Sequence, residues 1–205
     1  MRNILLIDNL DSFTFNLVEA FERLGCSVQT LLNTIDGRSA FRIAEESQSL
    51  IVISPGPGRP ESAGCCHQLI ALAKGSIPLL GICLGHQAIL AEAGAAVEAT
   101  PQPVHGKSTL LVHDGAGPFA GLSNPVRVGR YHSLGVRDVP KRFRIHAKSD
   151  DIVMAISDAA ALQSGLQFHP ESVLTPEGDR ILANCLAQSP PSNEGLSRAA
   201  RASLA

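Results

Sequence analysis

Four short strand candidates constrain the fold of this chain most strongly: the apolar runs at residues 4–7, 50–53 and 79–82, and the mixed segment at residues 28–32. The segment after the first run carries Asp11 and Ser12 as possible helix N-caps and closes at Gly25. Apolar side chains recur between them at helical spacing, at Phe13, Leu17, Ala20, Phe21 and Leu24. A further helix is predicted over residues 63–74. Apolar strands that alternate with helices are typical of an α/β protein with a mostly parallel sheet and helices on both faces.

The second half of the chain has a different pattern. Short strand candidates at residues 109–112, 126–128, 144–147, 152–156 and 166–168 are separated by Gly, Pro, Asp and Asn, and we expect them to add antiparallel strands to the same sheet. A last helix is predicted over residues 176–187. Its apolar face would consist of Ile181, Leu182, Cys185 and Leu186. Small residues dominate after it, so we predict one domain over residues 1–188 and a disordered tail over 189–205.

Composition narrows the class of function. The 205 residues, 44% of them hydrophobic, suffice for one large core. A formal net charge of −2 predicts neither a nucleic-acid partner nor a membrane-surface partner, because both attract clustered Lys and Arg. Asp8 interrupts the first apolar run where a signal peptide would continue, so a cytoplasmic location is expected. The five cysteines are an odd number without framework spacing, which argues against a disulfide scaffold.

The stretch from Pro78 to Gln87 suggests a nucleophile. An apolar strand runs into Gly81-Ile82-Cys83-Leu84-Gly85 and then into a helix-compatible segment that ends near Gly94, which is the form of a nucleophile elbow. The free N–H groups and the dipole of the helix start would favour the thiolate form of Cys83. Read alone, the same cysteine fits a small buried hydrophobe at a strand end.

A second stretch supplies the partners that such a nucleophile needs. His169 and Glu171 follow a strand-like run two residues apart, and alternate residues of extended backbone point to one side. An imidazole base benefits from an acceptor that fixes its tautomer, so the two residues suit the roles of base and orienter. A His-Pro-Glu sequence alone is typical of a surface turn, and its combination with the elbow is what favours catalysis.

Three stretches, taken in order, resemble the three signatures of the class I (triad-type) glutamine amidotransferases. They are Ser54-Pro55-Gly56-Pro57-Gly58, Gly81-Ile82-Cys83-Leu84-Gly85-His86-Gln87 and Phe168-His169-Pro170-Glu171. Further similarity at Asp8-Asn9, Asp11-Ser12-Phe13-Thr14, His105-Gly106-Lys107 and Arg130-Tyr131-His132-Ser133-Leu134 extends it over about residues 1–188. Within the family, the chain is most similar to the small, glutaminase subunits of anthranilate synthase. It departs from the family at Ala95-Ala96, where a glycine pair is common, and at the second cysteine of Cys65-Cys66.

The resemblance implies a flavodoxin-like sheet and specific roles in the site. It implies Cys83 as nucleophile, His169 as base and acid, and Glu171 as orienter. Gly58 and Leu84 would donate backbone N–H groups to an oxyanion hole, a role that suits Gly58 because glycine allows close backbone approach. Glutamine would be bound by Gly56, Pro57, Gly58, Gln87 and the backbone of Ser133 and Leu134.

The resemblance also implies partners. Ammonia from glutamine would pass to a chorismate-binding subunit, component I of anthranilate synthase, in tryptophan biosynthesis. No cofactor is expected in this chain, and magnesium is expected on the partner subunit.

Three alternatives to this reading stay open. The glutaminase subunit of aminodeoxychorismate synthase, in folate biosynthesis, would share every catalytic residue, although Gly58 and the Ala63-Gly64-Cys65 context favour anthranilate synthase. A catalytically silent regulatory module would keep the fold, but the complete triad argues against it. An independent cysteine hydrolase would not need the glutamine-site motifs.

Other motifs do not meet their requirements. A phosphate-binding loop ending at Gly106-Lys107-Ser108 would need glycine at Pro101, and a dinucleotide fingerprint starting at Gly56 would need glycine at Glu61. Cys65-Cys66-His67 has no second ligand pair at zinc-like spacing. The isolated histidines are predicted to lie in the core or on the surface, with His132 the best exception because it adjoins Ser133; they are His105, His113, His132 and His146.

Overall fold

The computed structural model describes residues 1–100, 103 and 106–189. The strands, in chain order, are β1 (Arg2–Asp8), β2 (Cys26–Leu32), β3 (Leu50–Ile53), β4 (Leu79–Ile82), β5 (Glu98–Ala99), β6 (Lys107–Leu111), β7 (Val126–Arg130), β8 (Leu134–Gly135), β9 (Arg144–Ser149), β10 (Ile152–Asp158) and β11 (Gln163–Leu166). The helices are α1 (Thr14–Arg23), α2 (Gly37–Glu46), α3 (Cys66–Ala73), α4 (Leu84–Glu92) and α5 (Gly178–Gln188). The predicted tail lies outside the described residues from position 190 onward, and so does His105.

The central sheet has the strand order β2-β1-β3-β4-β11-β10-β9. Its first five strands are parallel, whereas β10 pairs antiparallel with both β11 and β9. This confirms the predicted α/β fold with a mostly parallel sheet and antiparallel additions. The carboxyl ends of β1, β3, β4 and β11 therefore meet at one edge of the sheet, which is where open α/β sheets place their ligands.

Two of the predicted additions are wrong. The candidates at 109–112 and 126–128 form a separate antiparallel pair, β6 with β7, and do not join the central sheet. Most of β6 is exposed, including Leu110, so this strand lacks the apolar surface on both faces that a position in the covered sheet requires. The candidate at 166–168 is shifted, because β11 covers Gln163–Leu166 and ends before Gln167, and β11 runs parallel to its neighbour β4.

The helices also show where sequence patterns mislead. Asp11 does not cap α1; its carboxylate accepts the backbone N–H of Phe13, the residue directly before the helix, at 2.8 Å. The helix predicted over 63–74 begins only at Cys66, because a short 3₁₀ turn at Pro60–Ser62 precedes it. Helix α2 was not predicted; its N-cap is Asp36, and its buried face consists of the small residues Gly37, Ala40 and Ala44.

Helix α4 lies in the middle of the molecule, and every residue from Leu84 to Leu90 is buried. The side chain of His86 is polar, yet it has no exposed surface. It lies next to the backbone of Gly165 in β11. Burial lowers the pKa of His86 to about 4, so the folded protein holds this ring neutral.

Acid is therefore expected to destabilise the fold through His86. The folded-state pKa of about 4 lies below the unfolded value of about 6.5, so the stabilising contribution is complete above pH 6.5 and is lost as the pH falls towards 4. The loss should be about 2–3 kcal/mol between pH 7.5 and 4.5. Urea unfolding at both pH values should show that His86→Gln loses less stability than the wild type, and equal losses would contradict the assignment.

Candidate active site

A cavity of about 150 Å³ lies at the carboxyl edge of the parallel strands. Its lining consists of Gly56, Pro57, Gly58, Cys83, Leu84, Gln87, Tyr131, His132, Ser133 and Leu134. The structure thus places the predicted nucleophile, the two predicted oxyanion-hole residues and all the predicted glutamine-binding residues around one space. Tyr131 and His132 line it as well. A larger cavity, about 460 Å³, lies on the outer side of Glu171 and does not include Cys83.

Cys83 forms the turn between β4 and α4. Its backbone adopts φ 52° and ψ −98°, a conformation that side-chain-bearing residues rarely take and that is often found at functional positions. The glycines on either side permit this turn: a Cβ on Gly81 would lie 2.4 Å from the carbonyl oxygen of Gly85, and one on Gly85 would lie 2.4 Å from that of Ile53. The Gly-x-Cys-x-Gly spacing is therefore explained by close backbone approach on both sides of the nucleophile.

His169 and Glu171 are paired as predicted, but the backbone reasoning was wrong. His169 forms an isolated bridge to Gly129, and Glu171 lies in the following turn, not in extended backbone. The His169 Nδ1 atom and the Glu171 Oε1 atom are 2.7 Å apart, and the Glu171 side chain has no exposed surface. Thr175 holds the backbone of the same residue, since its hydroxyl donates to the His169 backbone carbonyl at 2.6 Å.

The protonation of His169 follows from these neighbours. Burial alone would lower the pKa of His169, but the nearby Cys83 and the hydrogen bond and charge of Glu171 outweigh it and raise the pKa to about 10. The ring is thus an imidazolium at neutral pH. Because Nδ1 is committed to Glu171, and Nε2 has no aligned hydrogen-bond partner among the described residues, Nε2 is the side of the ring left to act on the sulfur and on a substrate.

The two glycines of the Ser54–Gly58 stretch have different reasons to be glycine. A Cβ on Gly56 would lie 2.5 Å from the Asn9 Cβ and 2.6 Å from the Leu84 Cδ2, so close approach applies there. Gly58 has a φ of 79° and no protein atom within 4 Å of an added Cβ, so within the chain itself its requirement for glycine is conformational. Leu84 is the first residue of α4, where backbone N–H groups have no partner within the helix.

The carbonyl oxygen of Leu134 organises the opposite wall of the cavity. It accepts from Gln87 Nε2 at 3.1 Å and makes a 2.9 Å hydrogen bond with His132 Nδ1. Arg130 Nε donates to His132 Nε2 at 3.2 Å, which leaves Nδ1 as the protonated nitrogen. Burial, followed by the charge of Arg130, lowers the pKa of His132 to about 4. His132 is therefore a neutral donor that holds the Ser133-Leu134 segment in place.

Several residues around the site were not assigned roles from the sequence. The Phe13 and Tyr131 rings contact His169 edge-on, with centroids 5.3 Å and 4.9 Å from the imidazole. Asn9 joins β1 to the glycine-rich stretch, since its N–H donates to Ser54 Oγ at 2.9 Å. The unusual Cys66 supports this link by donating to Asn9 Oδ1 at 3.3 Å. The family-like motifs around Asn9, Phe13 and Tyr131 were the signal that could have found them.

The remaining histidines of the sequence analysis have partners away from the cavity. His113 stacks on Phe119 with ring centroids 4.5 Å apart. His146 lies between Asp114 and Ser157, at 3.0 Å and 2.8 Å respectively. Both are part of the packing between the β6–β7 side of the molecule and the central sheet. Within the described ranges, none of the helices is long and apolar enough to cross a membrane.

Comparison with known proteins agrees with this geometry. Residues 5–189 match the family model described as glutamine amidotransferase class-I. A Pseudomonas aeruginosa protein named anthranilate synthase component 2, pyocyanine specific, is 49% identical over 186 residues, covering 89% of this chain and 92% of that protein. Anthranilate synthase component 2 of Buchnera aphidicola subsp. Schizaphis graminum is 42% identical, covering 89% of this chain and 93% of that protein.

A solved structure shows the same fold. A protein from Thermoplasma acidophilum, proposed to be one of the subunits of a GMP synthase, superposes with a TM-score of 0.81 at 25% identity, covering 92% of this chain and 94% of that chain. The family signatures, the strand order and the superposition agree over nearly the whole described chain. The chain belongs to the class-I glutamine amidotransferase family, which it matches over residues 5–189.

Proposed function

We propose that this chain is the glutamine-hydrolysing subunit of an anthranilate synthase and that it delivers ammonia to a chorismate-binding partner. The observation that carries the glutaminase half is the buried His169–Glu171 pair, 2.7 Å between Nδ1 and Oε1. The charge of Cys83, at the turn into α4, helps to raise the pKa of His169. A catalytically silent module would have no need for this pairing. The wall formed by Gln87 and Leu134 gives the cavity the polar groups that a glutamine substrate requires.

In the first half-reaction, the Cys83 thiolate attacks the side-chain amide carbon of glutamine. The carbonyl oxygen becomes an oxyanion, which the N–H groups of Gly58 and Leu84 stabilise. The His169 imidazolium gives its Nε2 proton to the departing nitrogen, the C–N bond breaks, and ammonia leaves. A γ-glutamyl thioester on Cys83 and a neutral His169 remain.

In the second half-reaction, water replaces ammonia. Neutral His169 takes a proton from water as the oxygen attacks the thioester carbon, and the second tetrahedral intermediate uses the same oxyanion hole. The C–S bond then breaks, so glutamate leaves and the thiolate–imidazolium pair is restored. Glu171 holds the ring in one orientation and balances its charge throughout.

The partner follows from the chemistry and from the names of the relatives. Ammonia released into neutral solution would be protonated and lost as a nucleophile, so direct delivery to a synthase partner is favoured. The Pseudomonas and Buchnera proteins are named as component 2 of anthranilate synthase. In this proposal the partner is component I, the magnesium ion belongs to that partner, this chain uses no cofactor, and the complex works in the cytoplasm.

The destination of the anthranilate has two candidates. Tryptophan biosynthesis is the general one for a component 2. The name of the Pseudomonas relative, at 49% identity, ties that protein to pyocyanine, so supply of a secondary pathway is the second candidate. Aminodeoxychorismate synthesis is not favoured, because the curated relatives that we compared carry the anthranilate synthase name.

The test is to co-express the chain with a chorismate-binding partner encoded by the same organism and to assay the purified complex with chorismate, magnesium and glutamine. Anthranilate is expected, and aminodeoxychorismate as the product would overturn the assignment. Deletion of the gene in its own organism separates the two destinations of anthranilate. A requirement for added tryptophan supports the tryptophan pathway, and growth without tryptophan together with loss of a secondary product made from anthranilate supports the secondary pathway.

A further inference from the structure

Gln167 is a fully buried amide beside the nucleophile, and the mechanism above gives it no role. It follows the last residue of β11, and its backbone N–H donates to the Met154 carbonyl at 2.9 Å. Its side-chain Nε2 lies 3.7 Å from the Cys83 sulfur, within hydrogen-bond range for a sulfur acceptor. A polar side chain without exposed surface needs a partner, and among the described residues the sulfur is one of two that the Gln167 side chain has.

The orientation of this amide can be worked out from a backbone carbonyl. Leu134 O can only accept, so the atom of Gln87 that faces it at 3.1 Å must be Nε2. The same Nε2 lies 3.2 Å from the amide oxygen of Gln167, so Gln167 turns Oε1 towards Gln87 and its NH₂ group towards Cys83. The chain of contacts from Leu134 through Gln87 to Gln167 therefore ends in an N–H donor at the sulfur.

We propose that Gln167 is a further catalytic residue, whose amide donates to the Cys83 thiolate and couples it to the Leu134 wall of the substrate cavity; this rests on the proposed glutaminase function. A donor aimed at a thiolate favours the charged form over the thiol. The thiolate thus has a charged neighbour, the His169 imidazolium, and a neutral hydrogen-bond donor, the Gln167 amide. The neutral donor stays in place after His169 has given its proton to ammonia, when the sulfur must serve as leaving group of the thioester.

The same network restricts what Gln87 can do for the substrate. Both hydrogens of its Nε2 are committed, one to Leu134 O and one to Gln167 Oε1. Only its Oε1 is left to meet a ligand, as an acceptor. Gln87 should therefore recognise an N–H group of glutamine, not a carboxylate oxygen.

The test measures how the reactivity of the Cys83 sulfur depends on pH. The purified protein is alkylated with iodoacetamide between pH 5 and 10 without glutamine, and labelling of the Cys83 peptide is followed by mass spectrometry. Gln167→Leu, which removes the donor, should move the midpoint of the pH–rate profile up by about one pH unit. The reason is that loss of a hydrogen bond to a charged group changes the equilibrium between thiolate and thiol about tenfold. Gln167→Glu, which keeps the shape but places a carboxylate at the sulfur, should move it further.

Gln163→Leu is the matched control. Gln163 is a second buried glutamine, the first residue of β11, whereas Gln167 follows the last one, and the Gln163 Nε2 has no hydrogen-bond partner in the described structure. Its profile should coincide with that of the wild type. Coinciding profiles of the wild type and Gln167→Glu, in a protein that melts normally, would overturn the proposal even if the leucine variant failed to fold.

Activity of the complex provides the second readout. Both Gln167 variants should lose about 10- to 100-fold in glutamine-dependent kcat/KM, with ammonia-dependent synthesis unchanged. Unchanged glutamine-dependent kcat/KM in folded variants would also overturn the role. Because the alkylation profile needs no substrate, a shifted profile in a protein that hydrolyses no glutamine would sink the glutaminase proposal and leave the Gln167–Cys83 contact standing.

Discussion

Replacing Cys83 by serine is expected to abolish glutamine-dependent anthranilate formation while ammonia-dependent formation by the complex continues. The serine hydroxyl is nearly isosteric, but it lacks the acidity that lets a thiol exist as the anion beside the His169 imidazolium. The loss should be several orders of magnitude, on the order of 10⁶-fold where a triad nucleophile is removed. Steady-state assays with glutamine and with ammonium salts measure both reactions, and retained glutamine-dependent synthesis would exclude Cys83 as the nucleophile.

Two further substitutions at position 83 separate the effect on catalysis from the effect on stability. Cys83→Ala and Cys83→Gly should be equally inactive with glutamine. Their stabilities should be in the reverse of the usual order, because residue 83 has a φ of 52°, which costs a residue with a Cβ about 1–2 kcal/mol and glycine almost nothing. Thermal unfolding should therefore find the glycine variant the more stable of the two. An alanine variant of higher melting temperature would show that the elbow is not strained.

The strands of the sheet were predictable where burial on both faces leaves a continuous apolar run. The bounds of β3 and β4 agree with the prediction, because every residue in them is buried and polar residues or proline flank them. The same reasoning found β6 and β7 as strands but placed them in the wrong sheet, because their short patterns do not show that they pair with each other. It could not find α2 either, because Gly37, Ala40 and Ala44 make a buried face too small to stand out as an apolar period.

The residues of the site were predictable where those that act together lie within one short segment of the sequence. Cys83 with its glycines, and His169 with Glu171, are each local in sequence, so spacing and resemblance were enough to predict them. The role of Gln167 was not, since its contact with Cys83 joins residues 84 positions apart and its orientation depends on a carbonyl in a third segment. Such contacts are determined by the fold of the whole sheet and leave no local pattern.

Gly81→Ala is expected to damage stability and activity together, although the added methyl group touches no substrate. Its Cβ would lie 2.4 Å from the C and O atoms of Gly85 and 2.7 Å from the His86 nitrogen, all of them backbone atoms of α4 that no rotamer change can move. Relief requires a shift of the start of α4, which carries the Leu84 N–H. We expect a loss of about 3 kcal/mol or more in unfolding free energy and, in the protein that still folds, about 10²-fold in glutamine-dependent kcat.

The control for Gly81→Ala is Gly115→Ala, because Gly115 has a φ of 72° but nothing within 4 Å of an added Cβ. That variant should lose only the conformational cost, about 1 kcal/mol, and keep full activity. Chemical denaturation and glutaminase assays of both variants decide the matter. If the two variants lost equal stability, the steric argument for the elbow would be wrong, and the glycine of Gly-x-Cys-x-Gly would have to be explained by something other than the distance between β4 and α4.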